Sequence, residues 1–379
     1  MIPVMRPWLG AEELASLEEV LASGWVAQGR RVADFERAVC ARVGAPHGVA
    51  LSSCTAALHL ALVAYGIGAG DDVVVPSLSF IATANAARYV GATPVFADVD
   101  EGTQNLSAAT IEAALTASTR AVILVHQGGV PADVGAVHAL CDPLGIAVIE
   151  DAACALGSTY RGEPIGSHSE VVAFSFHPRK LITTGEGGMI ATRRRDLADR
   201  IRRLREHAMT VSAADRHDAA EPIAEEYPET GFNYRMSDLN AAVGVVQLGR
   251  LDAILARRRK LARRYQEGFA DVPGIVVVAD PPHGETNFQS FWIALPEDFP
   301  LGRDAVLRSL LARGVAARRG FMAAHLERAF AGNRHGALPV TERLTRRSLI
   351  LPLFHQLTEE EQESVIAAVR ELAGVPRNN

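Results

Sequence analysis

The sequence is poor in cysteine, with four in 379 residues. All four stand in helical or strand-like contexts without a paired spacing, so we expect reduced thiols rather than a disulfide framework. Cys54 and Cys154 also lack the spacing of metal ligands. The acidic and histidine residues between positions 213 and 230 lack this spacing as well. We therefore expect a mobile loop near the functional site there, and no metal. The other two cysteines are Cys40 and Cys141.

An excess of positive charge and long apolar runs are also missing. The formal net charge is −6 at pH 7. Nucleic acids and anionic membranes select basic proteins, so neither is an expected partner. No stretch reaches the ~18 consecutive apolar residues of a membrane span, and the first residues contain no apolar signal region. We therefore expect a cytoplasmic protein.

Short apolar runs alternate with helical patterns between about residue 44 and residue 192. Such fully apolar runs predict buried strands, and their alternation with helices favours an α/β fold with a mostly parallel sheet covered on both faces. Ligands of such sheets bind at the carboxyl ends of the strands. The runs are centred on Val49, Val74, Val95, Ile123, Val148, Phe174 and Ile190.

A long helical pattern follows at residues 236–269 and ends at the turn Asp271-Val272-Pro273-Gly274. Beyond it, a strand-like run around Trp292 and helical patterns at 303–313 and 359–372 indicate an α+β arrangement. We therefore predict two domains. An N-terminal arm and the large domain take up residues 1–255, and a small C-terminal domain takes up residues 256–379.

Lys180 stands in a turn-rich, largely uncharged setting after the predicted strand around Phe174. Burial at such a core edge disfavours an ammonium and favours a nucleophilic amine or an imine. Upstream, the predicted strand around Val148 ends on Glu150 and Asp151. Pyridoxal phosphate needs a lysine that holds its aldehyde as a Schiff base and an aspartate that keeps its pyridine nitrogen protonated. The pair of Lys180 and Asp151 therefore suggests that cofactor.

A phosphate site is the third requirement of pyridoxal phosphate. Ser53, Cys54 and Thr55 stand at the start of an alanine- and leucine-rich helical pattern, where free N–H groups and the helix dipole favour an anion. Small hydroxyl residues before a helix are more often ordinary caps. Their coincidence with Asp151 and Lys180 favours the phosphate-binding interpretation.

Six ordered motifs resemble those of the DegT/DnrJ/EryC1/StrS sugar aminotransferases, which are fold type I enzymes dependent on pyridoxal phosphate. The resemblance implies a large domain with a mostly parallel seven-stranded sheet between helices, and a smaller C-terminal α+β domain. It also implies a homodimer with shared active sites. The motifs are Ser23-Gly24-Trp25 with Gly29, residues 53–58, Val75-Pro76-Ser77 with Phe80, residues 150–153, the Lys180 segment and residues 231–236.

The resemblance also implies roles for individual residues. Lys180 would be the Schiff-base lysine, Asp151 the partner of the pyridine nitrogen, and Phe80 the ring stacked on the cofactor. Thr55 and Ser175 would hold the phosphate. Asn233 would reach the phosphate bound by the neighbouring subunit. Trp25 and His325 match segments on the substrate side. The full cofactor-binding set is Ser53, Cys54, Thr55, Phe80, Asp151, Cys154, Ser175, Lys180 and Asn233.

Two positions bear on the choice of reaction. Three residues after Asp151 the family usually has histidine or glutamine near the cofactor ring, but this chain has Cys154, whose thiol is a weaker hydrogen-bonding group. The sugar dehydratases of the family replace the Schiff-base lysine by histidine, whereas this chain keeps Lys180. Amino transfer is therefore favoured over dehydration.

The predicted function is transfer of an amino group from L-glutamate to a ketone of a nucleotide-activated deoxysugar, at the 3- or 4-position of the hexose. Such a reaction would serve the synthesis of amino sugars, natural products or surface polysaccharides. A cyclitol ketone is the alternative acceptor. A cofactor-dependent dehydration and a non-catalytic sensor are further alternatives, and Lys180 argues against both. The nucleotide, the sugar and the stereochemistry of the new amine stay open.

Overall fold

The computed structural model describes residues 1–212 and 224–375, so most of the predicted loop at 213–230 lies outside the described residues. At its centre is a seven-stranded sheet. The strands are β1 His47–Leu51, β2 Asp72–Pro76, β3 Thr93–Ala97, β4 Thr119–Val125, β5 Ala147–Asp151, β8 Val171–Ser175 and β9 Gly188–Thr192. Their order across the sheet is β1-β9-β8-β5-β4-β2-β3.

Neighbouring strands of this sheet run parallel, except that β9 is antiparallel to both β1 and β8. The prediction of a seven-stranded, mostly parallel sheet is confirmed. Successive residues face opposite sides, so that Val73 and Val75 pack into one buried cluster and Val74 into another. Because both faces are covered, the strands can be apolar throughout, which is why their sequences show uninterrupted apolar runs.

Helices cover both faces of the sheet. They are α1 Ala11–Ser23, α2 Arg30–Val43, α3 Cys54–Ala64, α4 Ala82–Tyr89, α5 Ala108–Glu112, α6 Val134–Cys141, α7 Arg195–Leu204 and α8 Asp238–Gly249. Buried residues of α3, α4 and α7 belong to the cluster that contains Val73, and those of α2, α6 and α8 belong to the cluster that contains Val74.

The helix predicted at 236–269 is in fact two helices, α8 and α9 Leu251–Phe269, bent by 57° at Arg250. Leu255 of α9 packs into the core of the large sheet, whereas Leu261 packs into a second core. The core against which α9 packs therefore changes next to the predicted domain boundary at 255/256. That boundary stays a prediction. Across the described residues, no single helix is long and apolar enough to cross a membrane, although the bent pair α8 and α9 meets that criterion together.

The second core is built on a four-stranded antiparallel sheet, which confirms the predicted α+β arrangement. Ile2, Val4 and Met5 of the N-terminal arm pack against this core, a contact that no sequence pattern indicated. Its elements are β10 Val276–Val277, β12 Phe291–Ala294, β13 Arg318–Arg319, β14 Ser348–Leu351, α10 Arg303–Ala312, α11 Pro339–Arg347 and α12 Glu359–Leu372.

A small third sheet joins the two parts of the molecule. It consists of β6 Thr159–Tyr160, β7 Glu163–Pro164 and β11 Gly284–Glu285, in the order β11-β6-β7. The segment after β11 then crosses to the large sheet. There Asn287 donates from Nδ2 to the carbonyl oxygens of Cys154 and Leu156, at 2.8 and 2.9 Å. The second core is thereby anchored beside the carboxyl end of β5.

Gly188 starts β9 directly against the amino end of α3. A Cβ atom at this position would overlap the backbone nitrogen of Cys54 and the carbonyl carbon of Ser53. Since these are backbone atoms of a capped helix, they cannot swing aside as a flexible side chain would. The close approach of β9 to α3 therefore requires glycine.

We expect Gly188→Ala to lower the free energy of unfolding by roughly 1–3 kcal/mol, because the added methyl group forces β9 and α3 apart. Gly249→Ala is the matched control, since nothing lies within 4 Å of a Cβ atom there. That control should leave stability unchanged or raise it by about 0.4–1 kcal/mol. Urea unfolding of both variants measures the difference, and equal stabilities would contradict the close packing at Gly188.

Candidate active site

A cavity of about 460 Å³ lies at the carboxyl ends of the parallel strands and is also lined by residues of the second core. This volume falls within the roughly 300–1,000 Å³ of small-molecule sites. Of the predicted cofactor-binding residues, all but Asn233 line it. These are Ser53, Cys54, Thr55, Phe80, Asp151, Cys154, Ser175 and Lys180.

Lys180 projects into the cavity from the loop between β8 and β9. Its backbone N–H donates to the carbonyl oxygen of His177 at 2.8 Å. One residue earlier, the carbonyl oxygen of Arg179 accepts from Nε2 of Gln289 at 2.6 Å. Inside the cavity, Nζ of Lys180 lies 3.1 Å from Sγ of Cys154. Hydrogen bonds from both parts of the molecule therefore fix the peptide that carries the amine.

The neighbours of Lys180 act against the effect of burial. Burial lowers the pKa of the amine, but Cys154, Cys54 and Asp151 raise it by more, so the net pKa is raised. The sequence indicated only the burial and not these neighbours, and the role of Lys180 as the Schiff-base residue stays a prediction.

Asp151 is the last residue of β5 and is buried. Thr83 of α4 donates from Oγ1 to Oδ2 at 3.0 Å, and the N–H of Ala153 donates to Oδ1 at 3.2 Å. Burial raises the pKa of Asp151, and these two hydrogen bonds and Lys180 oppose that shift without cancelling it. Because each oxygen accepts one hydrogen bond, the carboxyl group is held in one orientation at the cavity. No sequence pattern indicated Thr83.

A second buried acid precedes Asp151 on β5. Oε2 of Glu150 lies 2.6 Å from Nε2 of His126, and both side chains are fully buried. The N–H of Ala132 donates to Nδ1 of His126 at 3.0 Å, so Nε2 carries the proton and donates it to Glu150. Burial raises the pKa of Glu150, but His126, Ser169 and His138 together outweigh this, and the net pKa is lowered. The pair gives Oε2 of this buried carboxylate a partner and so reduces the cost of its burial.

The amino end of α3 borders the cavity. Ser53 caps the helix, since its Oγ accepts from the N–H of Ala56 at 3.1 Å. The N–H groups of Cys54 and Thr55 in the same turn come too early in the helix to have a partner within it, and they carry the positive end of its dipole. Cys54 and Thr55 of this first turn line the cavity together with Ser175 at the end of β8. Backbone N–H groups and hydroxyls thus converge in an arrangement that suits a phosphate.

Phe80 leaves 70% of its surface exposed, and its ring borders the same cavity. A flat ligand stacked on the ring would cover this apolar surface. The cavity therefore offers an amine, a carboxyl group with oriented oxygens, an anion-binding helix end and an exposed ring. These match the aldehyde, ring nitrogen, phosphate and ring face of pyridoxal phosphate. The residues present fit that cofactor.

Three predicted site residues lie outside this cavity. Trp25 borders a separate cavity of about 850 Å³ and donates from Nε1 to the carbonyl oxygen of Gln28 at 3.0 Å. Asn233 is exposed on a segment next to β1. His325 is buried, and its Nδ1 lies 2.6 Å from Oγ of Ser77, a contact that holds residues 322–325 against the end of β2. Their predicted roles stay predictions.

The wall of the cavity that comes from the second core was not predicted. Packing between two parts of the chain that are distant in sequence brings these residues to the site, so no local pattern could mark them. They are Gln289, Ser290, Arg318, Arg319, Gly320, Phe321, Met322 and Ile350.

The chain is similar in sequence and structure to known aminotransferases. Residues 7–370 match the profile of the DegT/DnrJ/EryC1/StrS aminotransferase family. The crystal structure of the aminotransferase TlmJ from Streptoalloteichus hindustanus is 36% identical, with 99% of each chain covered and a TM-score of 0.91.

Two further solved structures carry information about ligands. Spr1654 from Streptococcus pneumoniae, in its PLP-form, is 26% identical, with 98% of each chain covered and a TM-score of 0.91. DesI, in the presence of its TDP-sugar product, is 34% identical over 98% of this chain and 93% of that chain, with a TM-score of 0.90. The chain therefore belongs to the DegT/DnrJ/EryC1/StrS aminotransferase family, whose enzymes depend on pyridoxal phosphate.

Proposed function

We propose that this aminotransferase moves an amino group from L-glutamate to a ketone of a nucleotide-activated deoxysugar. The observation that carries the proposal is the placement of Lys180 and Asp151 in one cavity, with the anion-binding end of α3 beside them. The similar DesI, whose crystal structure was determined in the presence of its TDP-sugar product, supports a sugar acceptor. Lys180, rather than the histidine of the family's dehydratases, favours amino transfer.

Lys180 has two tasks in this proposal. When bound, pyridoxal phosphate supplies an aldehyde that exchanges nitrogen partners and a ring that withdraws electrons from the reacting carbon. Lys180 would hold the aldehyde through Nζ. Once an amino donor has displaced it, the free amine would take a proton from one carbon and return it to another.

Asp151 and α3 position the reacting groups. The donors Thr83 and Ala153 orient the carboxyl group of Asp151, which would then hold the ring nitrogen of the cofactor. A negative charge there favours a protonated ring nitrogen. Thr55 and Ser175 add hydroxyl donors to the N–H groups of the first turn of α3 and hold the phosphate. The reacting carbon is thereby kept within reach of Lys180.

Two half-reactions test the proposed function. L-Glutamate added to the cofactor-loaded enzyme without an acceptor should change the visible absorbance of the enzyme and release one 2-oxoglutarate per site. The enzyme should then aminate nucleotide-linked ketosugars but not inosose, as read by mass spectrometry. Amination of inosose alone would contradict the sugar-nucleotide acceptor and favour the cyclitol. A dehydrated product formed without an amino donor would contradict amino transfer.

We also propose that the active enzyme is a homodimer in which Asn233 completes the phosphate site of the neighbouring subunit. Asn233 is exposed and stands outside the cavity that collects the other predicted cofactor contacts of its own chain. Its segment is fixed, because the N–H of Ser52 donates to the carbonyl oxygen of Tyr234 at 2.8 Å. A fixed, exposed amide on this face can serve a second copy of the chain.

Mixing two inactive variants tests the shared site. Lys180→Ala removes the amine, and Asn233→Asp places a negative charge against the phosphate. In a mixed dimer, one site combines the intact Lys180 of one chain with the intact Asn233 of the other. After subunit exchange at equal amounts, we expect activity to recover to about a quarter of the wild-type level, because half of the dimers then hold one intact site. No recovery, with exchange verified by mass spectrometry, would contradict the arrangement.

A further inference from the structure

Asn233 stands between two aromatic residues that face the interior. The rings of Phe232 and Tyr234 stack on each other, with their centroids 5.2 Å apart and 13° between their planes. Both rings pack against the buried cluster that contains Val73. The backbone is extended here, since Asn233 forms an antiparallel bridge with Glu206. Because alternate residues of an extended segment face opposite sides, Asn233 is turned outward and is exposed.

Backbone hydrogen bonds fix the path of this segment on both sides. The N–H of Phe232 donates to the carbonyl oxygen of Leu204 at 2.7 Å, and the N–H of Tyr234 donates to that of Arg205 at 2.9 Å. From the other side, the N–H of Ser52 donates to the carbonyl oxygen of Tyr234 at 2.8 Å. These bonds hold the main chain, whereas the two rings depend on the side chain that lies beneath them.

His59 of α3 is the polar side chain beneath both rings. Its ring meets that of Phe232 edge-on at 4.9 Å between centroids, and that of Tyr234 at 5.8 Å. Its Nδ1 lies 3.1 Å from the hydroxyl oxygen of Tyr234. His59 is buried, and burial lowers its pKa, so the imidazole is neutral. A neutral imidazole shares a hydrogen with the hydroxyl while it packs against the rings, and an apolar side chain would supply the packing alone.

The position of His59 on α3 is compatible with a role in either of two sites. It follows Thr55 by about one turn of the helix, so it lies close to the predicted phosphate site of its own chain. However, Cys54, Thr55 and Leu58 are the residues of α3 that line this cavity. The polar contact of His59 is made with Tyr234 instead, next to the exposed Asn233. The contacts of His59 therefore favour a role in the site that Asn233 serves.

We propose that His59 is a positioning residue that holds Asn233 in place for the phosphate bound by the neighbouring subunit. The inference rests on the proposed function, because it concerns the side chain by which one subunit completes the site of the other. His59 acts through Tyr234 and does not touch the cofactor. An amide that is already fixed loses little freedom when it binds, so the affinity for the phosphate depends on how firmly Asn233 is held. One helix thereby serves two sites, its first turn the site of its own chain and its second turn the neighbouring one.

Binding of the cofactor to the enzyme is the first test, read from the absorbance that pyridoxal phosphate gains on binding Lys180. We expect His59→Leu to raise the Kd about tenfold, because ring contacts and a hydrogen bond are lost together. Tyr234→Phe, which loses the hydrogen bond alone, should raise it about fivefold. The Kd for pyridoxal, which has no phosphate, should stay unchanged. The matched control is Tyr65→Phe, which removes a hydroxyl 3.1 Å from Glu170 at the other end of α3 and should change neither Kd.

Mixed dimers then show which of the two sites depends on His59. A first chain carries Lys180→Ala and a second chain carries Asn233→Asp, so the one intact site combines Lys180 of the second chain with Asn233 of the first. His59→Leu on the first chain alters only the histidine that holds this Asn233. On the second chain, it alters only the α3 that belongs to the intact site. We expect the half-saturating concentration of pyridoxal phosphate to rise with the first arrangement and to stay unchanged with the second.

Three outcomes would overturn the inference. They are a rise confined to the second arrangement, which is the result of an ordinary structural role in α3, an equal loss of affinity for pyridoxal, and an unchanged Kd for pyridoxal phosphate in both variants. If His59→Leu does not fold, Tyr234→Phe replaces it in the two arrangements. If the mixture recovers no activity even with His59 intact, the shared site itself fails. That failure appears without any change at His59, so the two are distinguishable.

Discussion

The register between β4, β5 and β8 is the constraint on which the active site depends. Asp151 pairs with Val125 on one side and with Ala173 on the other, so that it stands at the carboxyl edge of the sheet. Because successive residues of a strand face opposite sides, a slip of one residue would bring Glu150 to the cavity in place of Asp151. The buried bond between Glu150 and His126 stabilises the observed register, since it gives the wrong carboxylate a partner on the far face.

The second core does more than close the cavity. Arg258 of α9 is buried, and its guanidinium donates to the carbonyl oxygens of Phe288 and Gln289 at 2.9 and 2.8 Å. Burial lowers its pKa to about 9. The segment fixed in this way bonds back to the carbonyl oxygens of Arg179 and Cys154, the residues next to and in contact with Lys180. The position of the amine therefore depends on how the two parts of the molecule pack, and not on its own loop alone.

Much of this site could be predicted from the sequence, for physical reasons that also explain what was missed. Buried strands leave uninterrupted apolar runs, and Asp151 and Lys180 follow such runs, so their placement at one sheet edge was predictable. Thr83 and Arg318 reach the site only through packing between elements that are distant in the chain, and neither has a local signal. The raised pKa of Lys180 could not be predicted because the sequence indicates only the burial, whereas the fold brings the thiols and the carboxylate around the amine.

The central claim is that Lys180 is the residue that carries the cofactor. The chain contains only two lysines, and Lys260 is exposed on α9, 3.3 Å from Glu359. Borohydride reduction of the enzyme loaded with pyridoxal phosphate, followed by peptide mass spectrometry, therefore has a built-in comparison. The account predicts a pyridoxyl-phosphate adduct on the peptide that contains Lys180 and an unmodified Lys260. An adduct on Lys260 alone, or no adduct on either peptide, would contradict it.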